Sequence, residues 1–250
     1  VAARRALTPL LIPDDRGRIA LLLDKAKWDQ AGYFQYVRWM HTVDPMMLAP
    51  PVQTALENVA RTHSKKPVRE WAIKALTRAP GVKPTFFTEM AGQGSVQGLR
   101  AQIHAAADGF SVLSKATADA HTPTRDAAYE LLVALAKLGI DLDASQRLQL
   151  VNIVVADLAT GRKTKPWRYL RAIYQLMRTR PKLNAEQEAR LLNALRPYCL
   201  TAKDRKAWWD ALLTVKRLGT PAGEKLIADA IASVPSKNGR RIMSDRLTIE

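Results

Sequence analysis

Apolar residues along this chain return every three or four positions instead of alternating, which is the period of a helix with one buried face. Four segments share that register and also their punctuation: Pro67-Val68-Arg69 to Gly81, Pro123-Thr124-Arg125 to Gly139, Pro166-Trp167-Arg168 to Pro181, and Asp204-Arg205 to Gly219. Each opens on a Pro or Asp, where a first helical turn tolerates a missing N–H or welcomes a carboxylate. Each closes on a Gly or Pro that stops the helix. Ala128, Leu131, Leu132, Leu135 and Leu138 share one face in the second segment. Leu170, Ile173, Tyr174 and Met177 do so in the third, and Trp208, Ala211, Leu212, Val215 and Leu218 in the fourth. Partner helices are expected over Pro51 to Arg61, Ser145 to Ala159, Ala185 to Tyr198 and Glu224 to Ser233. The pattern predicts an all-α fold of antiparallel helix pairs, each burying its stripe only by stacking on its neighbours.

The arginines that open the four segments are 56, 43 and 37 residues apart. The first segment, Val68-Arg69-Glu70-Trp71-Ala72-Ile73-Lys74-Ala75-Leu76, resembles the second helix of a HEAT repeat, with Val-Arg ahead of Ala and Ala-Leu at that motif's offsets. Arg125 with Ala128 repeats it in part. This resemblance to the armadillo/HEAT superfamily implies a right-handed α-solenoid over residues 46–235. It also implies that Arg69, Arg125, Arg168 and Arg205 pair within the fold, although no acidic residue recurs at a fixed place in the preceding helices. Gly92, Gly94 and Gly98 mark 84–98 as an irregular loop-like insertion, followed by one helix from Leu99 to about Thr117. Residues 1–45 are expected to form an irregular helical cap and residues 236–250 a basic tail.

Composition narrows the function. A hydrophobic content of 47% is enough for a core, and only 6% aromatic residues suits closely packed helices. No apolar run approaches the roughly 20 residues of a membrane span, so no membrane is expected as a partner. The start, Val1-Ala2-Ala3-Arg4-Arg5, reads as trimmed or as part of a longer protein. Cys199 is the only cysteine, which removes intrachain disulfides and thiolate metal clusters and fits a reducing cytoplasm. Net charge is +16, unevenly spread. Residues 1–80 hold 13 Lys/Arg against 7 acids, residues 81–160 hold 6 against 8, and residues 161–250 hold 20 against 8. The basic excess of the last third points to a polyanion.

Within that third, Arg168, Arg171, Gln175 and Arg178 stand at i, i+3, i+7 and i+10, one face of one helix. Arg162, Lys163 and Lys165 precede this helix; Arg180 and Lys182 follow it. Like charges this close repel, so the line costs stability unless something acidic lies against it. Phosphates can supply that partner, each Arg offering a planar fork; so can Glu186, Glu188 or Asp210 of the chain itself. Lys203, Arg205, Lys206, Lys216 and Arg217 extend the basic surface in the next repeat. Among the interleaved aromatics, Trp167 and Trp208 fall on apolar stripes and are expected in the core. Tyr169 and Trp209 are expected at the surface, where bases could stack on them.

No catalytic constellation stands out. His41, His63, His104 and His121 are scattered with no i, i+4 partner, so no metal or cofactor is expected. Gly92-Gln93-Gly94-Ser95 lacks the Gly-Lys-Ser/Thr of a phosphate loop, and Asp141-Leu142-Asp143 fits a helix cap. Trp208-Trp209-Asp210 and Trp28-Asp29 are superficially similar to the Asp-near-Trp arrangement of HEAT-like alkylpurine DNA glycosylases, without the extended spacing of that family's catalytic segment. Three readings follow: a non-catalytic scaffold contacting nucleic-acid phosphates, a scaffold for an acidic protein partner, and such a glycosylase.

Overall fold

A computed structural model of the chain describes residues 50–79, 81–160, 166–201, 204–234, 241, 243–245 and 247. The expected cap over 1–45, Trp28-Asp29 and most of the tail over 236–250 lie outside the described residues. Among the described residues the fold is helical, with no strand. The helices are α1 Pro50–Thr62, α2 Lys66–Leu76, α3 Pro84–Gly92, α4 Val96–Ala105, α5 Gly109–Ala118, α6 Thr122–Val133, α7 Ala144–Ala159, α8 Pro166–Leu176, α9 Ala185–Leu200, α10 Arg205–Leu218 and α11 Pro221–Ser233. One-turn 3₁₀ segments, Leu135–Lys137 and Met177–Thr179, follow α6 and α8. No helix among the described residues is long and apolar enough to cross a membrane.

The punctuation works as chemistry requires. Asp143 and Asn184 form reciprocal capping boxes with Gln146 and Gln187: each cap side chain accepts the glutamine's backbone N–H, and the glutamine Oε1 accepts the cap residue's own N–H. Asp204 accepts from the N–H groups of Lys206 and Ala207 at the start of α10. At its other end Gly219 adopts φ 61°, the left-handed conformation that closes a helix with least strain when no Cβ is present. After α8 the same turn is made by Arg180, at φ 52°, immediately before Pro181.

The stretch 84–98 departs from expectation. It is not a loop: Pro84 starts α3, which buries Phe86, Phe87, Met90 and Ala91, and Gly98 lies inside α4. The helix expected over 99–117 is two helices, α4 and α5, separated where the Asp108 side chain caps α5 by accepting from Ser111 N–H. Gly98 serves packing. A Cβ there would lie 2.8 Å from Met90 Cβ and 2.9 Å from the Ala91 backbone nitrogen, and backbone cannot move aside. Alanine would gain about 1 kcal/mol of helix propensity, but overpacking against backbone costs about 1–3 kcal/mol, and the clash prevails. Gly98→Ala is therefore expected to lower unfolding free energy by about 1–2 kcal/mol in urea titration; an unchanged midpoint would refute the packing role.

The chain divides into two units, Val1–Ala105 and Ala106–Glu250. In the first, α1 packs on α2, α3 on α4, and α2 on α4, around Leu56, Val59, Ile73, Leu76 and Met90. The Glu70 carboxylate of α2 accepts from Ser95 Oγ and from the Val96 and Gln97 N–H groups, a negative charge on the start of α4. In the second unit the helices touch in two rows: α5, α7, α9 and α11 in one, α6, α8 and α10 in the other. Across the rows α6 packs on α5, α8 on α7, and α10 on both α9 and α11.

Two of the segment-opening arginines do one job at one register. Arg69 Nη1 donates to the carbonyls of His63 and Ser64, and Arg125 Nη1 to those of Asp119 and Ala120, six and five residues back in both cases. Each guanidinium ties its helix to the turn before it. Arg125 is buried, and its Nε also faces Asp157 Oδ2 of α7 at 3.4 Å. The acid comes from the following helix, not a preceding one.

Candidate nucleic-acid interface

Helix α8 carries the arginine line on a strongly amphipathic frame, with Leu170, Ala172, Ile173 and Leu176 buried. It packs against α6, α7 and α10, so acids from two neighbours reach the line. Arg168 Nη2 lies 2.8 Å from Glu130 Oε1, with Asp126 Oδ2 4.0 Å from Nη1; both acids stand on α6. Arg171 Nη1 donates to Asp210 Oδ1 of α10 at 2.7 Å. Burial pushes the Asp210 carboxyl above the ordinary carboxylate range, and the hydrogen bond and charge of Arg171 draw it back. Two members of the line thus hold acids of their own chain, Asp210 among them as the sequence allowed; Arg178 is exposed.

Cations and aromatics alternate where α8 meets α10. The Arg168 guanidinium stands 5.7 Å from the Trp167 ring centroid and the Lys206 ammonium 5.8 Å from it. Arg171 stands 5.0 Å and Arg217 4.1 Å from the Tyr174 ring, whose hydroxyl accepts from Arg217 Nη2 at 2.8 Å. These contacts hold long cationic side chains in place, which lowers the entropy they would lose on meeting a ligand.

Beyond Tyr174 the two helices end at one cleft of about 580 Å³. Arg180 and Lys182 enter it from the turn after α8, Lys216 and Arg217 from the last turn of α10, and Glu188 of α9 is the one acid in its wall among the described residues. Arg180 and Lys182 are exposed; Lys216 and Arg217 are half-buried. Arg217 Nη1 is buried and, among the described residues, has no hydrogen-bond partner. Four expected anion-binding residues meet here. Arg205 is exposed at the start of α10, while Arg162, Lys163, Lys165 and Lys203 lie outside the described residues.

The aromatic expectations need correction. Tyr169 is 2% exposed, packed edge-on against Tyr129 at 4.4 Å, and has no free face for a base. Because α8 is flanked by three helices, it buries more than the single stripe that apolar spacing marks. Trp167 and Trp208 are half-buried, not core, and the Trp208 indole N–H donates to the Cys199 carbonyl. Trp209 is half-buried beside Trp208, ring centroids 5.7 Å apart. Asp210, next along, is 5% exposed and engaged with Arg171. Burial pushes the Cys199 thiol up to about 12, so it stays an inert packing group at neutral pH. Among the described residues no group of three or more His, Cys, Asp or Glu could hold a metal ion.

Tyr174 was not legible as a site residue, because its position on the apolar stripe reads as core. Its helical register with Trp167 and Arg171, at i, i+4 and i+7, is the signal that places them on one face. No protein-family model matches the chain, and neither a curated protein nor a solved structure does.

Proposed function

We propose that this chain is a non-catalytic scaffold of HEAT-like stacked helix pairs, an α-solenoid that binds nucleic acid through phosphate contacts, largely without sequence specificity. The two rows of helices in the second unit support the solenoid reading. The observation that carries the binding reading is the cleft at the ends of α8 and α10. Among the described residues it gathers Arg180, Lys182, Lys216 and Arg217 against a single acid, Glu188. The face runs on toward Lys206, an exposed cation beside the Trp167 ring that offers a further phosphate contact. Asp210 supplies the ion pair to Arg171 and is given no catalytic part.

The test uses side chains that make no structural bond in this account. Arg180→Glu with Lys182→Glu and Lys216→Glu is expected to weaken binding of a labelled random-sequence duplex about 100-fold in about 50 mM salt, with helicity by circular dichroism unchanged. Undiminished affinity would remove the cleft from the interface. Tight binding of an acidic polypeptide with none of either duplex or single strand would replace nucleic acid by an acidic protein as the partner.

A further inference from the structure

The first unit holds a cleft of about 590 Å³ to which the basic sequence runs gave no clue. It opens between the ends of α2 and α4 beside the start of α3, the same place in the order of helices as the cleft of the second unit. Lys74 and Arg78 reach it from the end of α2, and Arg100 and His104 from α4. Among the described residues no Asp or Glu lines it. The three acids nearest in sequence are engaged elsewhere: Glu70 with Ser95 and the first N–H groups of α4, Glu89 with Arg61, and Asp108 as the cap of α5. Among the described residues the lining is therefore cationic, with no acid in it to balance the charge. The lining also includes Val82 and the buried ring of Phe87. An anion alone would leave most of that volume and all of that apolar wall unused; pockets of this size take whole small molecules.

We infer that this cleft is a binding site for a nucleotide, with its phosphate on Arg78, Arg100 and Lys74 and its base against Phe87 and Val82. Guanidinium groups suit a phosphate because they offer paired donors, and a flat base suits the apolar edge that Val82 and Phe87 present to the cleft. The site goes beyond the nucleic-acid reading, since it lies in the other unit and can fail alone. The shared chemistry admits either a free nucleotide or the phosphorylated end of a strand.

Calorimetric titration of the full chain with AMP in about 50 mM salt is expected to give one saturable site. AMP is expected to bind about tenfold or more tightly than either inorganic phosphate or adenosine, because each offers only part of what the cleft recognises. Arg78→Glu with Arg100→Glu is expected to weaken AMP about tenfold or more, whereas the triple charge reversal in the second unit leaves it unchanged. Displacement of AMP by a 5′-phosphorylated but not a 5′-hydroxyl oligothymidylate would identify a strand end as the occupant; no displacement by either would identify a free nucleotide. Absence of saturable AMP binding overturns the site, as does inorganic phosphate binding equally well or loss of AMP binding only in the second-unit variant. Any of these leaves duplex binding by the second unit standing.

Discussion

Arg125→Leu is expected to destabilise the protein by about 3–5 kcal/mol, the usual cost of breaking a buried ion pair from one side. Arg125 and Asp157 have side chains only 4% and 9% exposed, so neither can turn to water when the other is lost. The guanidinium also donates to the carbonyls of Asp119 and Ala120 and to Thr122 Oγ1, which leucine would leave unmet. Tyr129 Oη remains to donate to Asp157 at 3.1 Å; burial and the Asp157 charge raise the phenol far above its ordinary pKa, so it keeps its proton. A neutral phenol does not replace the positive charge that the carboxylate has lost. Adding Asp157→Asn to the leucine variant removes that charge and is expected to return about 1–3 kcal/mol. Urea unfolding of the two variants measures both quantities. A loss below about 1 kcal/mol would show that the pair is not needed to hold α6 to α7.

Arg171→Leu is expected to cost about 2–3 kcal/mol at pH 7, and Asp210→Asn distinctly less. The asymmetry comes from exposure: the Arg171 side chain is 40% exposed and can hydrate alone, whereas that of Asp210, at 8%, cannot. The loss has a defined pH dependence. A carboxyl whose folded pKa is raised favours folding fully below its unfolded pKa, about 3.9, and loses that contribution as pH rises through the folded value. Removing Arg171 takes away what lowers Asp210, so the folded value climbs further and the loss above it deepens. The deficit of Arg171→Leu should thus be small below about pH 4, where Asp210 is protonated in both chains, and grow toward neutrality. A deficit independent of pH would mean that lost packing of the arginine stem, not the carboxylate, accounts for it.

Much of the fold was legible because its signals are local. Pro67, Pro123 and Pro166, the Asp143 and Asp204 caps and the Gly219 stop act within one turn of their own residue. What failed depended on neighbours distant in sequence. Gly98 looks like loop glycine until Met90 and Ala91 are placed against it. Tyr169 follows an exposed-looking arginine, but α6 covers that side of α8, and Tyr129 meets its ring. The arginine line of α8 likewise gives no hint that Glu130 closes on it from α6, although Asp210 of α10 was among the acids the sequence offered. Of the expected anion-binding residues, Arg168 and Arg171 are therefore paired within the chain, and the proposed contacts rest on Arg180, Lys182, Lys216 and Arg217. The basic character of the last third was legible; which charges were already spoken for was not.

The salt dependence of duplex binding tests the central claim most directly. If the cleft meets phosphates, log Kobs falls linearly with log salt, by about 0.9 for each phosphate neutralised. Reversing Arg180, Lys182 and Lys216 should then make the slope shallower by about 2.7, since each of the three side chains no longer neutralises a phosphate. A duplex affinity indifferent to salt, or a slope identical in the two proteins, would contradict it.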